Sequence, residues 1–168
     1  MRKFDEFFDV VDINNNVIGR ASRYEVHKKR LMHRSAHILV FNSRDNLFLQ
    51  KRSMSKDENP GLWDTSAAGH VDAGEDYLHC AERELEEELG ISVAMEEVMH
   101  ISAQPNSLWE HVHVYKCVTD NPIEINCLEI AEGRYWTVSE ITKSIESSPK
   151  IFTPTFHLIF NDYSSRHK

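Results

Sequence analysis

The chain has 168 residues, 40% hydrophobic and 27% charged, enough for one globular domain with its own core. A formal net charge of −8 argues against general binding to nucleic acid polymers or to an anionic membrane. It leaves room for a small polyanionic substrate, because a divalent metal can supply positive charge locally.

The stretch FFDVVDINNNVIGRASR reads as two short strands around an Asn14-Asn15-Asn16 turn. SAHILVF and NLFLQKR are β-rich runs separated by a hairpin signal, NSRDN. NPGLWDTSAAG begins with a Pro-Gly turn and becomes a short strand. Residues 76 to 89 read as a helix closed by Gly90. VMHISAQ, EHVHVYKCV and IAEGRYWTV read as further strands. SEITKSIES reads as a helix with Ser139 as its cap and Pro149 just beyond its end. TPTFHLIFNDY reads as a terminal helix with Pro154 in its first turn. The order predicts an α/β (α+β) sandwich, with a mixed sheet covered by helices, as a single domain over residues 1–168.

Three cysteines, Cys80, Cys117 and Cys127, form no CxxC pair and fit a reducing interior better than a disulfide framework. The N-terminal residues carry no signal-peptide pattern, and no window approaches the 18 apolar residues of a membrane span. The expected location is therefore the cytoplasm.

On the helix at 76 to 89, Leu78, Ala81, Leu85 and Leu89 recur at spacings of three and four and form an apolar stripe expected to pack on the sheet. Glu84, Glu87 and Glu88 share one side, while Glu82 and Glu86 can point to solvent. Such carboxylates repel, and Arg83 is the helix's only Lys or Arg. A solvated outer face is the ordinary explanation of an acidic helix. The alternative is a hard cation, Mg²⁺ or Mn²⁺, shared between carboxylates and a substrate phosphate.

The spacing decides between them. Gly69, five residues, Glu75, seven residues, Arg83-Glu84-Leu85, one residue, Glu87-Glu88, one residue, Gly90-Ile91 resembles the Nudix box (residues 69–91) at every defining position. A chance match at a given register has a probability on the order of 10⁻⁹ from average residue usage. The resemblance implies a Nudix α/β/α sandwich, with the N-terminal hairpin and C-terminal helix as additions. It implies metal-dependent hydrolysis of a diphosphate bond in a nucleoside diphosphate linked to another group, or in a similar small diphosphate. By position Glu84, Glu87 and Glu88 look like metal ligands, and Glu75 looks like a ligand or a partner of Arg83. Arg83 resembles the arginine that orients the glutamates, and Gly69 and Gly90 look like backbone glycines. The general base stays open among Glu87, Glu88, Glu110 and Glu132.

A second resemblance covers roughly residues 5 to 137. The run LFLQKRS…K…PGLWDTS…GH is similar to the isopentenyl-diphosphate isomerase-like branch of the superfamily. That raises isopentenyl-diphosphate delta-isomerase as the alternative activity. The isomerase needs a proton-transferring Cys two residues before the His of its CGH segment, and here Ala68 stands in that place. Of its three-His, two-Glu metal set, His33, His70 and Glu110 have plausible counterparts. His27 is offset by one residue, and Leu108 falls where the other Glu should lie. The box is complete, so the resemblance implies a hydrolase related to the isomerases.

Beyond the box's defining positions, His70 is a candidate substrate contact, as are Arg52 and Lys56 for the distal phosphate, with solvated surface an equal alternative for those two. His27 and His33 are expected to be surface or hydrogen-bonded histidines, and His111 and His113 an exposed ladder with Val112 and Val114 on the opposite face. Trp63 and Trp136 are expected in the core. The expected partner is a small-molecule diphosphate, with a homodimer as the default assembly.

Overall fold

The computed structural model describes residues 6–167. β1 (Phe7–Val11) and β2 (Val17–Ser22) form an antiparallel hairpin. Its turn is closed by the Asp12 carboxylate, which accepts from the Asn14 and Asn16 amides at 2.9 Å each, with Asn15 at a φ of 65°. A short helix follows, α1 (Arg23–Lys29), which the sequence pattern does not announce. It has one buried apolar residue, Val26, too few for a helical period to show. Ser22 caps it, and Val26 packs with Phe8 and Ala21 in a small satellite core.

The main sheet is mixed. β3 (His33–Phe41) lies parallel to β8 (Glu110–Val118), and β7 (Glu96–Ile101) runs antiparallel to β8. β4 (Leu47–Arg52) pairs with β5 (Trp63–Asp64) and with β9 (Ile130–Trp136), both antiparallel. β3 and β4 meet only at Phe41 and Leu47, the base of their hairpin. Beyond that pair they diverge, and β6 (Ala67–His70) occupies the edge of β3 instead. This split opens a wedge in the sheet. Ser66 stitches its narrow end: its hydroxyl donates to Phe48 O at 2.5 Å and accepts from the Val40 amide at 2.8 Å.

Each face of the sheet carries its own core. On one side Leu39, Leu49, Val112, Val114 and the edge-to-face pair Trp63–Trp136 pack against α3 (Val138–Ser147) and α4 (Pro154–Arg166). On the other, Ile38, Val40, Phe48 and Ile130 pack against α2 (Tyr77–Leu89). The result is the expected α/β/α sandwich. No helix among the described residues is long and apolar enough to cross a membrane.

Three local expectations change. α3 is capped by Thr137, not Ser139, through a capping box with Glu140. Leu78 is 41% exposed. At 100° per residue Leu78 falls between Leu85 and Leu89 on the buried face of α2, so its exposure comes from its place in the first turn of the helix; Cys80, at the edge of that face, is buried. His111 and His113 are not an exposed ladder. His111 is buried, accepting from the Ala103 amide at Nδ1 and facing Asp12 O at 3.0 Å through Nε2, while His113 is half-buried and stacks on Tyr77 at 3.6 Å.

Candidate active site

Because the inward face of α2 includes Glu88, the acidic residues do not simply face water. Glu88 is 4% exposed. Gln50, inward-facing on β4, donates through one amide nitrogen to Glu88 Oε2 at 2.5 Å and to Ser66 O at 3.2 Å. Burial, and then the charge of Glu84, push the Glu88 carboxyl well above the usual carboxylate range; burial does the same to Glu84 against the pull of Arg83. A buried and a half-buried carboxylate that both resist ionisation are a donor set suited to a hard divalent cation, whose charge removes the repulsion. Glu87, one helical turn beyond Arg83, is largely exposed.

Arg83 organises the set. Its Nε and Nη2 grip both oxygens of Glu75 at 2.9 and 3.0 Å, Nη1 donates to Glu84 at 2.6 Å, and Nη2 also reaches His70 O at 3.2 Å. Glu75 also accepts from the Asp72 amide, so its place is as the arginine's partner. Gly69 lies over Glu84 so closely that a Cβ would overlap the carboxylate. Gly90 ends the helix at a φ of 66°.

A single cavity of about 590 Å³ occupies the wedge between β4 and β6. Arg83, Glu84, Glu87, Glu88, His70, Arg52 and Lys56 all line it. Arg52 binds Glu58 O through Nε at 3.0 Å and lies 3.7 Å from Asp64, and Lys56 pairs with Glu129. Glu132 is elsewhere, on the exposed side of β9 beside Lys51.

At one side of the cavity His27 of α1, His33 of β3 and His70 of β6 bring a ligand atom each to within 4.8 Å of one another; His27 and His70 line the cavity and His33 is buried behind them. Glu110 lies 3.0 Å from His70 Nε2 and 3.5 Å from His33 Nε2. Burial alone would raise Glu110, but His70 and His33 hold it well below the usual carboxylate range. Burial lowers His70 to about 4, so its ring is neutral. The Phe8 ring stacks on His70 and His33 at 4.8 and 5.8 Å. His27 and His33 are hydrogen-bonded, as expected, and not open surface groups: His33 Nδ1 lies 2.9 Å from Leu31 O and His27 Nδ1 2.9 Å from Glu58. The one-residue offset of His27 hid it, because the docking of the hairpin and α1 sets its position. Ser35, His37 and Arg23 also line the cavity, Gln50 meets it through Glu88, and no motif marks them.

The sequence model of the NUDIX domain family matches residues 31–156. The chain belongs to the Nudix family. Among curated relatives of this Nudix hydrolase, an isopentenyl-diphosphate Delta-isomerase of Serratia proteamaculans is 35% identical over 164 residues, covering 94% of this chain and 91% of the relative. An uncharacterized Nudix hydrolase of Pseudomonas aeruginosa is 41% identical over 128 residues, 74% of this chain and 75% of the relative. A solved structure from Deinococcus radiodurans superposes with a TM-score of 0.77 at 25% identity, covering 85% of this chain and 90% of that one. The Nudix domain of Shewanella oneidensis NrtR, solved with ADP ribose, shares the fold at a TM-score of 0.64 and 14% identity, covering 80% and 87%.

Proposed function

We propose that this protein hydrolyses a diphosphate bond in a nucleoside diphosphate linked to another group, or in a similar small diphosphate, with Mg²⁺ or Mn²⁺ held by Glu84, Glu87 and Glu88. The observation that carries the reading is that these carboxylates line one cavity with Arg52 and Lys56. Bound there, the metal would neutralise phosphate charge and lower the pKa of an attacking water. Arg83 fixes the direction of Glu84, and Gln50 that of Glu88. Arg52 and Lys56 supply positive charge for the distal phosphate once Lys56 exchanges Glu129 for substrate. Glu87, the most accessible of the three glutamates, is the group best placed to take a proton from water. His27, His33, His70 and Glu110 form a nitrogen-rich donor set for a second divalent ion beside the first. With free thiols at Cys80, Cys117 and Cys127, the protein fits the cytoplasm.

The names of the isomerase relatives favour a second reading, in which the same histidine cluster serves double-bond migration. Ala68 argues against it: it lines the cavity at the position of the needed thiol and carries no transferable proton. The test is a screen of nucleotide and isoprenoid diphosphates with Mg²⁺ and Mn²⁺, read by mass spectrometry so that bond cleavage and isomerisation are distinguished. Release of a monophosphate is expected. Absence of hydrolysis across the panel, or interconversion of the C5 diphosphates, would overturn the reading.

A further inference from the structure

A strand presents alternate side chains to one face, so His33, Ser35 and His37 leave β3 in a row. In the register with β6, His70 stands opposite Ser35 and Ala68 opposite His37. His33 and His70 belong to the histidine cluster. Ser35 and His37 continue the row along the cavity, which they line with Ala68, Asp64 and Thr155. Diphosphate hydrolysis gives neither residue a task.

Both have unmet hydrogen-bonding capacity. Ser35 is 2% exposed, and its Oγ has no partner among the described residues. His37 is 5% exposed, with Nδ1 2.8 Å from Thr65 Oγ1 and 3.8 Å from Asp64 Oδ1. The Thr65 hydroxyl donates its own hydrogen to Ala67 O at 3.3 Å, so it accepts from His37. The Asp64 carboxylate favours a proton on the same nitrogen. Burial lowers the His37 pKa and keeps the ring neutral. Its one hydrogen is therefore on Nδ1, and Nε2 is a lone-pair acceptor bonded to none of the described residues. A hydrocarbon chain against this wall would leave a serine hydroxyl and an imidazole nitrogen desolvated and unpaired, at a cost on the order of 1–3 kcal/mol for each such group. A group carrying hydroxyls would satisfy both.

We propose that Ser35 and His37 are specificity-determining residues that hydrogen-bond a hydroxylated group carried on the diphosphate and discriminate against a hydrocarbon of the same size. The inference rests on the diphosphatase reading for its reaction, and Ala68, in place of a larger side chain, leaves the room beside His37. The asymmetry is one of rejection. A site built to pair with a hydroxyl penalises the analogue that lacks it more than an apolar pocket penalises an added hydroxyl.

The test compares kcat/KM for ribitol 5-diphosphate and n-pentyl diphosphate with Mg²⁺, each normalised to methyl diphosphate. The wild-type protein is expected to prefer the ribitol ester by about 30-fold or more, and His37→Phe and Ser35→Ala each to reduce that ratio about 5-fold or more. His37→Gln, which keeps an acceptor, is expected to retain more of the ratio than His37→Phe. Equal turnover of the two esters by the wild type, or a ratio untouched by both His37→Phe and Ser35→Ala, would overturn the proposal. If no ester is hydrolysed, the diphosphatase reading fails, and calorimetric binding of the same esters to the Mg²⁺-loaded protein decides the specificity by itself. Tighter ribitol ester binding supports the proposal and equal affinity refutes it.

Discussion

Replacing Glu88 by Gln should stabilise the metal-free protein while removing its response to metal. The side chain is 4% exposed, repelled by Glu84, and held by a single amide of Gln50. Its carboxyl is raised from an ordinary 4.5 to about 8. A folded-state pKa above the unfolded value means that the contribution to stability is fully present below 4.5 and lost as pH rises through about 8. Taken at face value that shift is worth roughly 5 kcal/mol by pH 8. Much of it belongs to the Glu84–Glu88 pair jointly, and a glutamine amide satisfies Gln50 less strongly than a carboxylate does. The expected gain is therefore about 2 kcal/mol at pH 8, or about 4–8 °C in Tm for a chain of this size. At pH 5 the gain should shrink below about 1 kcal/mol, because the native carboxyl is then protonated. Thermal unfolding in chelator at both pH values, repeated with Mg²⁺, is the assay. A Glu88→Gln protein less stable than wild type at pH 8 without metal would refute the reasoning. So would one that gains as much from Mg²⁺ as the wild type does.

Glu87→Gln, at an exposed position, should leave Tm within about 1 °C in chelator yet lower kcat by about 100-fold or more, as measured by phosphate release. Gly69→Ala forces a methyl group into the Glu84 carboxylate; it should cost about 1–3 kcal/mol in chemical denaturation and raise the Mg²⁺ concentration needed for half-maximal turnover. His70, half-buried and lowered to about 4, contributes stability that is present above about 6.5 and lost as pH falls toward 4. Denaturation midpoints of the metal-free protein should fall over that window, and less steeply in His70→Gln.

The glutamate helix was legible because its chemistry is written as fixed spacing within one element, and spacing in a helix is geometry. Its orientation was less so. Leu78 shares the buried side with Leu85 and Leu89 by period, but it lies in the first turn of α2 and stays exposed, while Glu88 on the same side is buried; only the packing of α2 against β3 and β6 reveals either. Gln50 sits in an otherwise ordinary strand run, and nothing in LFLQKR tells a buried amide from an exposed one. His27 was discounted for a one-residue offset. The structure corrects for it through long-range contacts: Val11 donates to Met32 O, Ala73 to Phe7 O, and the His111 ring reaches Asp12 O. Ser35 and His37 emerge only from the pairing of β3 with β6, which brings together residues some thirty positions apart.

The family match begins at residue 31, but the cavity begins earlier in the chain. His27 comes from α1, Phe8 from β1 stacks on two of the three histidines, and Arg23 ties Glu6 and approaches Asp57 and His70. A chimera that transplants residues 31–156 would inherit the glutamate helix intact and two histidines without the third. Exchange of the first thirty residues between relatives would thus alter the histidine side of the cavity while leaving the carboxylates alone, and the two halves of the site can diverge at different rates.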